Sequence, residues 1–327
     1  LESRLDYISR TVRTKWAEWQ TILAGGVACA GFAILNKFSL ADSLVVLAAA
    51  SVGQFVRGRL NRRWLNQFGV AALASAAACL VYLMLADLLT NTGLHTIHGP
   101  GYVASLLFLV PGFPMITSIL DMVRMDFTAG LSRAAYSFGL ILAATMSAWM
   151  FSAATGLQPL PAQTVFPYPW AWLAYAVATA CGVAGFAVIF NSPPRTVAWA
   201  AALGACGNLC RLALVGVNLP AQLAAGVGGV IIGFLAGPLS ARTTLPRITL
   251  TVPACVIMVP GASMYRTVYW LNGQDMTKAL TFGVDAVLTV ILIACGLAVA
   301  RMCTDPAWAR NLPVPSPHAF KFSKDDH

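Results

Sequence analysis

Asp285 is an ionisable side chain placed roughly 9 Å along a helix at 1.5 Å per residue inside the apolar run 279 to 302. A carboxyl group at that depth in a membrane is costly, and where one persists it usually moves protons or ions. Asp121 stands at one end of the apolar run 101 to 121, and Asp87 near the end of the run 66 to 90. Both can reach an interface by snorkelling, so proton coupling falls first to Asp285 and then to Asp121. Two cations share this kind of setting, Arg211 within the run 197 to 216 and Arg266 near the end of the run 249 to 270. Either can neutralise Asp285 or bind a carboxylate with two parallel hydrogen bonds; the competing role is a structural ion pair.

A second chemical feature occurs twice. Val110-Pro111-Gly112 and Val259-Pro260-Gly261 interrupt two apolar runs that otherwise have the length of a membrane span. Proline removes a backbone donor and clashes with the preceding turn, so each pair opens its helix. At membrane depth the freed backbone groups must face protein or a watery cavity. The positive end of a half-helix then suits a carboxylate, and the negative end an ammonium or a protonated group. These breaks mark a substrate site between Pro111-Gly112 and Pro260-Gly261, where Thr117, Ser118, Ser263 and Tyr265 can bond a small polar solute. The competing role of each hydroxyl is a bond to its own helix backbone.

The elements that must position these groups follow from composition. With 58% hydrophobic and 10% charged residues and a mean hydropathy of +0.72, the chain is an all-α polytopic membrane protein. The net charge of +9 comes from basic residues scattered between apolar runs, not from a stripe on one element, which argues against a nucleic-acid partner. Ten spans are predicted, near 20 to 37, 40 to 56, 66 to 90, 101 to 121, 130 to 154, 169 to 190, 197 to 216, 219 to 240, 249 to 270 and 279 to 302. Residues 1 to 19 read as a cytoplasmic or interfacial amphipathic segment, since Leu1, Leu5, Ile8, Val12, Trp16 and Trp19 recur at helical spacing. The competing reading is the end of a removed soluble domain. Residue 1 is not Met and no signal peptide is visible.

Arg57, Arg59, Arg62, Arg63, Arg124, Arg133, Arg195, Arg242 and Arg247 all fall in connections on one side of a ten-span bundle, and both termini join them. The connections 91 to 100 and 155 to 168 carry no Lys or Arg and only Lys278 breaks the pattern, so both termini are expected in the cytoplasm. A shift of 149 residues carries Val110, Pro111, Gly112, Met115, Asp126, Thr128 and Leu131 onto identical residues from Val259 to Leu280. Division at the linker 155 to 168 leaves five spans in 20 to 154 and five in 169 to 302. An odd number inverts the second half, the pattern of an inverted-topology transporter with paired broken helices. Residues 303 to 327 read as a cytoplasmic tail.

The stretch Val110 to Arg133, with Pro111-Gly112, Asp121, Gly130 and Arg133, resembles the first membrane half of the threonine/serine exporter family. "MVPGASMYR", then Asp275 and a terminal span with Gly296, resembles its second half. The resemblance covers roughly 1 to 303 and implies a ten-span exporter of small amino acids driven by the proton gradient in a plasma (inner) membrane. Related paired proteins are implicated in exporting a dicarboxylate. The soluble amino-terminal portion that family members carry is not seen in this sequence.

The remaining motifs read as packing. Seven of the eight cysteines lie in apolar runs, and Cys206 with Cys210 reads as small buried residues, not a redox or metal pair. Gly229, Gly233 and Gly237 permit close helix contact, within a protomer before a homo-oligomer seam. His95 and His98 read as a solvated pair, and no cofactor or metal is called for. No phosphate-binding G-x-x-x-x-G-K-[ST] loop exists for ATP. A coupled transporter of amino acids or of a dicarboxylate such as succinate thus stands first and a passive channel second. An intramembrane enzyme stands third, because no nucleophile and base share one depth.

Overall fold

A backbone in hydrocarbon must satisfy its own N–H and C=O groups, and a helix does so within one segment. The computed structural model describes residues 15–93, 101–159, 170–243 and 245–310, and the long apolar runs in them are helical. In chain order the first part holds α1 (Glu18–Leu35), α2 (Leu40–Asn61), α3 (Gln67–Asn91), the short α4 (Tyr102–Ser105), α5 (Gly112–Val123) and α6 (Phe127–Thr155). The second holds α7 (Trp170–Ile189), α8 (Pro194–Gly216), α9 (Ala221–Thr243), α10 (Arg247–Val256), α11 (Gly261–Asn272), α12 (Met276–Thr304) and the terminal turn α13 (Pro306–Ala309). Among the described residues eight helices are long and apolar enough to cross a bilayer, and two bent pairs bring the number to ten if each pair is one span. The protein is an all-helical, multi-pass membrane protein.

The bends sit where proline and glycine were expected to place them. The segment Tyr102–Leu109 meets α5 at 54°, and α10 meets α11 at 51°. Pro111 has φ −79° and ψ 58°, and Pro260 has φ −82° and ψ 59°. Each proline is the centre of an inverse γ-turn, closed by Gly112 N–H to Val110 C=O at 2.8 Å and by Gly261 N–H to Val259 C=O at 2.9 Å. Just before each turn the helix tightens, with Val110 N–H bonded to Leu107 C=O at 3.1 Å and Val259 N–H to Val256 C=O at 3.0 Å. Further on, Met125 and Gln274 take positive φ of 65° and 59°. Asp126 then accepts from Ala129 N–H at 3.2 Å, and Asp275 from Lys278 N–H at 3.1 Å, as the N-caps of α6 and α12. The Lys278 side chain and amide also hold the Asp275 carboxyl below its ordinary value.

The same local geometry therefore recurs from each break to the end of the following long helix. A second register, not evident from identical residues, links the earlier helices: the left-handed residues Lys37 and Trp64 after α1 and α2 correspond to Asn191 and Asn218 after α7 and α8. The five-residue difference between the two registers falls in the connection 92 to 101.

Packing relies on small residues. A Cβ on Gly229 would lie 2.6 Å from the Ile293 carbonyl, and one on Gly296 would lie 2.3 Å from the Gly226 carbonyl, so α9 and α12 touch backbone to backbone. The glycine repeat on α9 is thus spent within the protomer. Cys206 corrects the sequence expectation: it is exposed and Cys210 half-buried, because their face of α8 is turned away from the neighbouring helices. Glu18 pairs with Arg59 at 3.3 Å and Arg62 at 3.0 Å, holding the start of α1 to the end of α2. Most of the predicted amphipathic segment, together with His95, His98 and the tail from 311, lies outside the described residues. Within the described part, Trp16 Nε1 donates to the Ser192 carbonyl at 2.8 Å.

Candidate functional site

The two breaks pack against each other. A Cβ on Gly112 would meet Val256 Cγ1 at 3.1 Å, and one on Gly261 would meet Leu107 Cδ2 at 2.7 Å. Glycine at both places is what lets each half-helix start against the other's preceding turn. The space enclosed beside Gly261, Val110 and Thr145 is only about 10 Å³. Thr117 Oγ1 donates to the Phe113 and Pro114 carbonyls and Ser118 Oγ to Met115, so these hydroxyls serve their own helix.

Polar side chains gather on either side of that contact. Tyr102 Oη and Tyr265 Oη lie 2.9 Å apart with their rings edge to face at 5.6 Å, and both residues are 0% exposed. Tyr265 Oη also donates to the Ala148 carbonyl at 3.5 Å. The pair joins α4, from the first part of the chain, to α11, from the second.

Asp285 accepts from Gln222 Nε2 at 2.7 Å and from Ser263 Oγ at 2.9 Å, so each carboxylate oxygen has a donor from a different helix. Ser263 lies in the first turn of α11, immediately after the second break. Beside Asp285 is a cavity of about 680 Å³ lined by Gln222, Thr277, Leu280, Thr281, Phe282 and Asp285 itself, among others.

The expected pairing of Asp285 with Arg211 or Arg266 is not formed. Arg211 Nε donates to Asn208 Oδ1 at 2.8 Å, and Asn208 Nδ2 in turn to Thr179 Oγ1 at 2.8 Å. Arg266 Nε donates to the Pro159 carbonyl at 3.0 Å, with its guanidinium 5.6 Å from the Phe282 ring centre. Hydrogen bonds to Gln222 and Ser263 take the place of a counter-ion. Asp121 forms an ion pair with Arg133 across the α5–α6 turn, and Asp87 is exposed on α3. Among the described residues no three His, Cys, Asp or Glu side chains gather as a metal site.

Sequence reasoning did not single out Gln222, Tyr102 or Arg57. Gln222 could have been found as the lone amide in an apolar run, and Tyr102 as the hydroxyl that opens the first broken span. Arg57, counted only as a topological charge, sends Nη1 to the Phe108 carbonyl at 3.4 Å, next to the first break.

Two family profiles match this chain in succession. The profile described as "Putative threonine/serine exporter" matches residues 1–155, and that described as "Threonine/Serine exporter, ThrE" matches residues 175–303. A protein of Escherichia coli (strain K12), named "Probable succinate transporter subunit YjjP", is 30% identical over 144 residues, which is 44% of this chain and 55% of its own. The protein of the same name from Klebsiella aerogenes is 31% identical over 145 residues, again 44% of this chain and 55% of its own. An uncharacterized protein of Haemophilus influenzae is 37% identical over 82 residues, covering 25% of this chain and 28% of its own. The chain spans about half the length of the curated relatives named YjjP. No solved structure matches it. The two profiles follow one another along the chain and divide it between its two broken spans: the chain belongs to the threonine/serine exporter family.

Proposed function

We propose that the protein is a proton-coupled secondary transporter exporting small amino acids such as threonine and serine. In this reading it is built from two five-span halves of opposite orientation, 20 to 154 and 169 to 302, joined by an extracytoplasmic linker. It sits in the plasma (inner) membrane with both termini cytoplasmic. The family assignment, the recurrence of the broken-helix geometry and the distribution of arginines support this reading.

The observation that carries it is the bond from Ser263 to Asp285. The ionised carboxylate holds two donors, one of them in the first turn of the half-helix that starts at Gly261. When the carboxyl takes a proton, the Ser263 bond can reverse so that the carboxyl donates to Ser263 Oγ while Gln222 still donates to the other oxygen, but both bonds lose the charge that strengthened them and the hold on α11 weakens. Protonation of Asp285 is thereby linked to the position of α11, and α11 packs on the first break through Gly261. The substrate site belongs where the two breaks meet, at Pro111-Gly112 and Pro260-Gly261, and it opens when that packing loosens.

A dicarboxylate is the second reading, favoured by the names of the YjjP relatives. It calls for two cations at the site, whereas Arg211 and Arg266 are engaged on separate elements and Asp285 would repel a second carboxylate. Efflux of labelled threonine, serine and succinate from loaded proteoliposomes, with and without a pH gradient, separates the readings. Gradient-stimulated efflux of threonine or serine, lost in Asp285→Asn, is the expected result. Stimulated efflux of succinate alone moves the substrate to the dicarboxylate. Leakage that is equal in both chains and indifferent to the gradient leaves a passive channel.

A further inference from the structure

Four polar residues recur at every fourth position of α12: Thr277, Thr281, Asp285 and Thr289. They form one line along a helix, beside exposed apolar residues such as Leu280 and Val284. The outer three border the cavity of about 680 Å³, and Gln222 of α9, bonded to Asp285, lines it from the neighbouring helix. Thr277 and Thr281 are exposed, and Thr281 Oγ1 donates to the Thr277 carbonyl, which leaves each hydroxyl oxygen free to accept from water. The ionisable groups on the elements packed around α12 include Arg266, Tyr265 and Tyr269 on α11, Arg242 on α9, Asp121 on α5 and Arg247 of α10, which donates to Thr304 Oγ1 at the far end of α12; on α12 itself Lys278 is bound to Asp275 and Arg301 to Asp305. None of them forms an ion pair with Asp285.

The corresponding place in the first part of the chain shows what this groove would be without chemistry. There Tyr136 stands at the register of Asp285 and Phe68 at that of Gln222, and their rings lie 6.3 Å apart. Thr128 and Ser132 stand at the registers of Thr277 and Thr281, and Ser132 Oγ likewise donates to the Thr128 carbonyl at 2.8 Å, so the two outer hydroxyls recur in both parts and what sets this groove apart is Asp285 with Gln222 in place of the aromatic pair.

We propose that Thr277, Thr281 and Gln222 line a hydrated path by which protons reach Asp285 from the end of the bundle that carries the turn 273 to 275. This path rests on the reading of Asp285 as the coupling acid, and with the orientation proposed above it opens on the extracytoplasmic side. The Thr281 hydroxyl, its proton held by the Thr277 carbonyl, accepts from a file of water, and the file ends at the carboxylate that holds α11.

The test is site-resolved thiol labelling of the full chain in right-side-out and inverted membrane vesicles, read by mass spectrometry of the modified peptide so that native cysteines do not interfere. Thr277→Cys and Thr281→Cys are compared with Val287→Cys, an exposed apolar position on another face of α12. A charged, membrane-impermeant reagent is expected to modify both threonine positions at least tenfold faster than Val287→Cys, and from right-side-out vesicles only. An apolar maleimide should reach all three. Modification of Thr281→Cys by the apolar reagent alone means that the line faces lipid and overturns the path. Protection from both reagents means that another chain covers it, which overturns the path equally, and labelling only from inverted vesicles overturns its direction. Because labelling needs no transport, these outcomes are independent of the efflux assay that tests Asp285.

Discussion

At the scale of single residues, the contact between Tyr102 and Tyr265 ties the two parts of the chain together at a fully buried position. Two phenols that are both 0% exposed can satisfy each other only if one donates and the other passes its own proton on, here to the Ala148 carbonyl. Removing one hydroxyl leaves its partner short of a bond in a buried site, at a cost of about 1 kcal/mol. Removing both leaves an edge-to-face pair of phenyl rings with nothing unsatisfied between them. Tyr102→Phe and Tyr265→Phe should therefore each lower the thermal midpoint in detergent, while the double substitution lowers it no further than the worse single one. Additive losses would mean that the hydroxyls act separately. The same reasoning explains why Asp285 needs no arginine: two well-directed donors can hold a half-buried carboxylate, and a desolvated ion pair is expensive to build.

At the scale of elements, a break is held in place by what its glycine touches. A Cβ on Gly261 would stand 2.7 Å from Leu107 Cδ2, the far end of a side chain that can turn aside. One on Gly296 would stand 2.3 Å from the Gly226 carbonyl and 2.9 Å from the Val230 nitrogen, where only helix separation gives relief. Gly261→Ala is expected to cost on the order of 1–3 kcal/mol by overpacking, and Gly296→Ala more. Thermal unfolding of the two variants in detergent ranks them, and a milder effect at Gly296 would show that the α9–α12 seam yields more easily than its contacts allow. The long spans and both breaks were legible in the sequence, because apolar length and a Val-Pro-Gly triplet act locally. The match of α1 to α7 and α2 to α8 was not, because no proline or identical run marks it and alanine and glycine substitute freely at close helix contacts. The partners of Asp285 were illegible for a different reason. Hydrogen bonds from Gln222 and Ser263 depend on how α9 and α11 rotate against α12, and an attraction of opposite charges, the cue that pointed to Arg211 or Arg266, says nothing about that rotation.

At the scale of the whole molecule, contacts between the two parts come in reciprocal pairs. Gly31 of α1 faces the Ala178 carbonyl of α7 at 2.5 Å from an added Cβ, and Gly185 of α7 faces the Ala24 carbonyl of α1 at the same 2.5 Å. Gly112 meets Val256 while Gly261 meets Leu107, again with the two residues of each contact exchanged for their counterparts. Exchange of this kind is what a two-fold axis produces, since each patch then meets its own copy. With five spans in each half, as proposed above, that axis would lie in the membrane plane and equivalent turns would emerge on opposite faces. Leu40 at the start of α2 and Pro194 at the start of α8 are such a pair, and both are exposed. A charged thiol reagent should modify Leu40→Cys from right-side-out vesicles and Pro194→Cys from inverted ones, each at least tenfold faster than from the other side. Labelling of both from one face would place the halves parallel and set the axis along the membrane normal. In that arrangement the two breaks would present the same helix ends to the same side, and alternating exposure of one central site could not arise by exchanging the conformations of the halves.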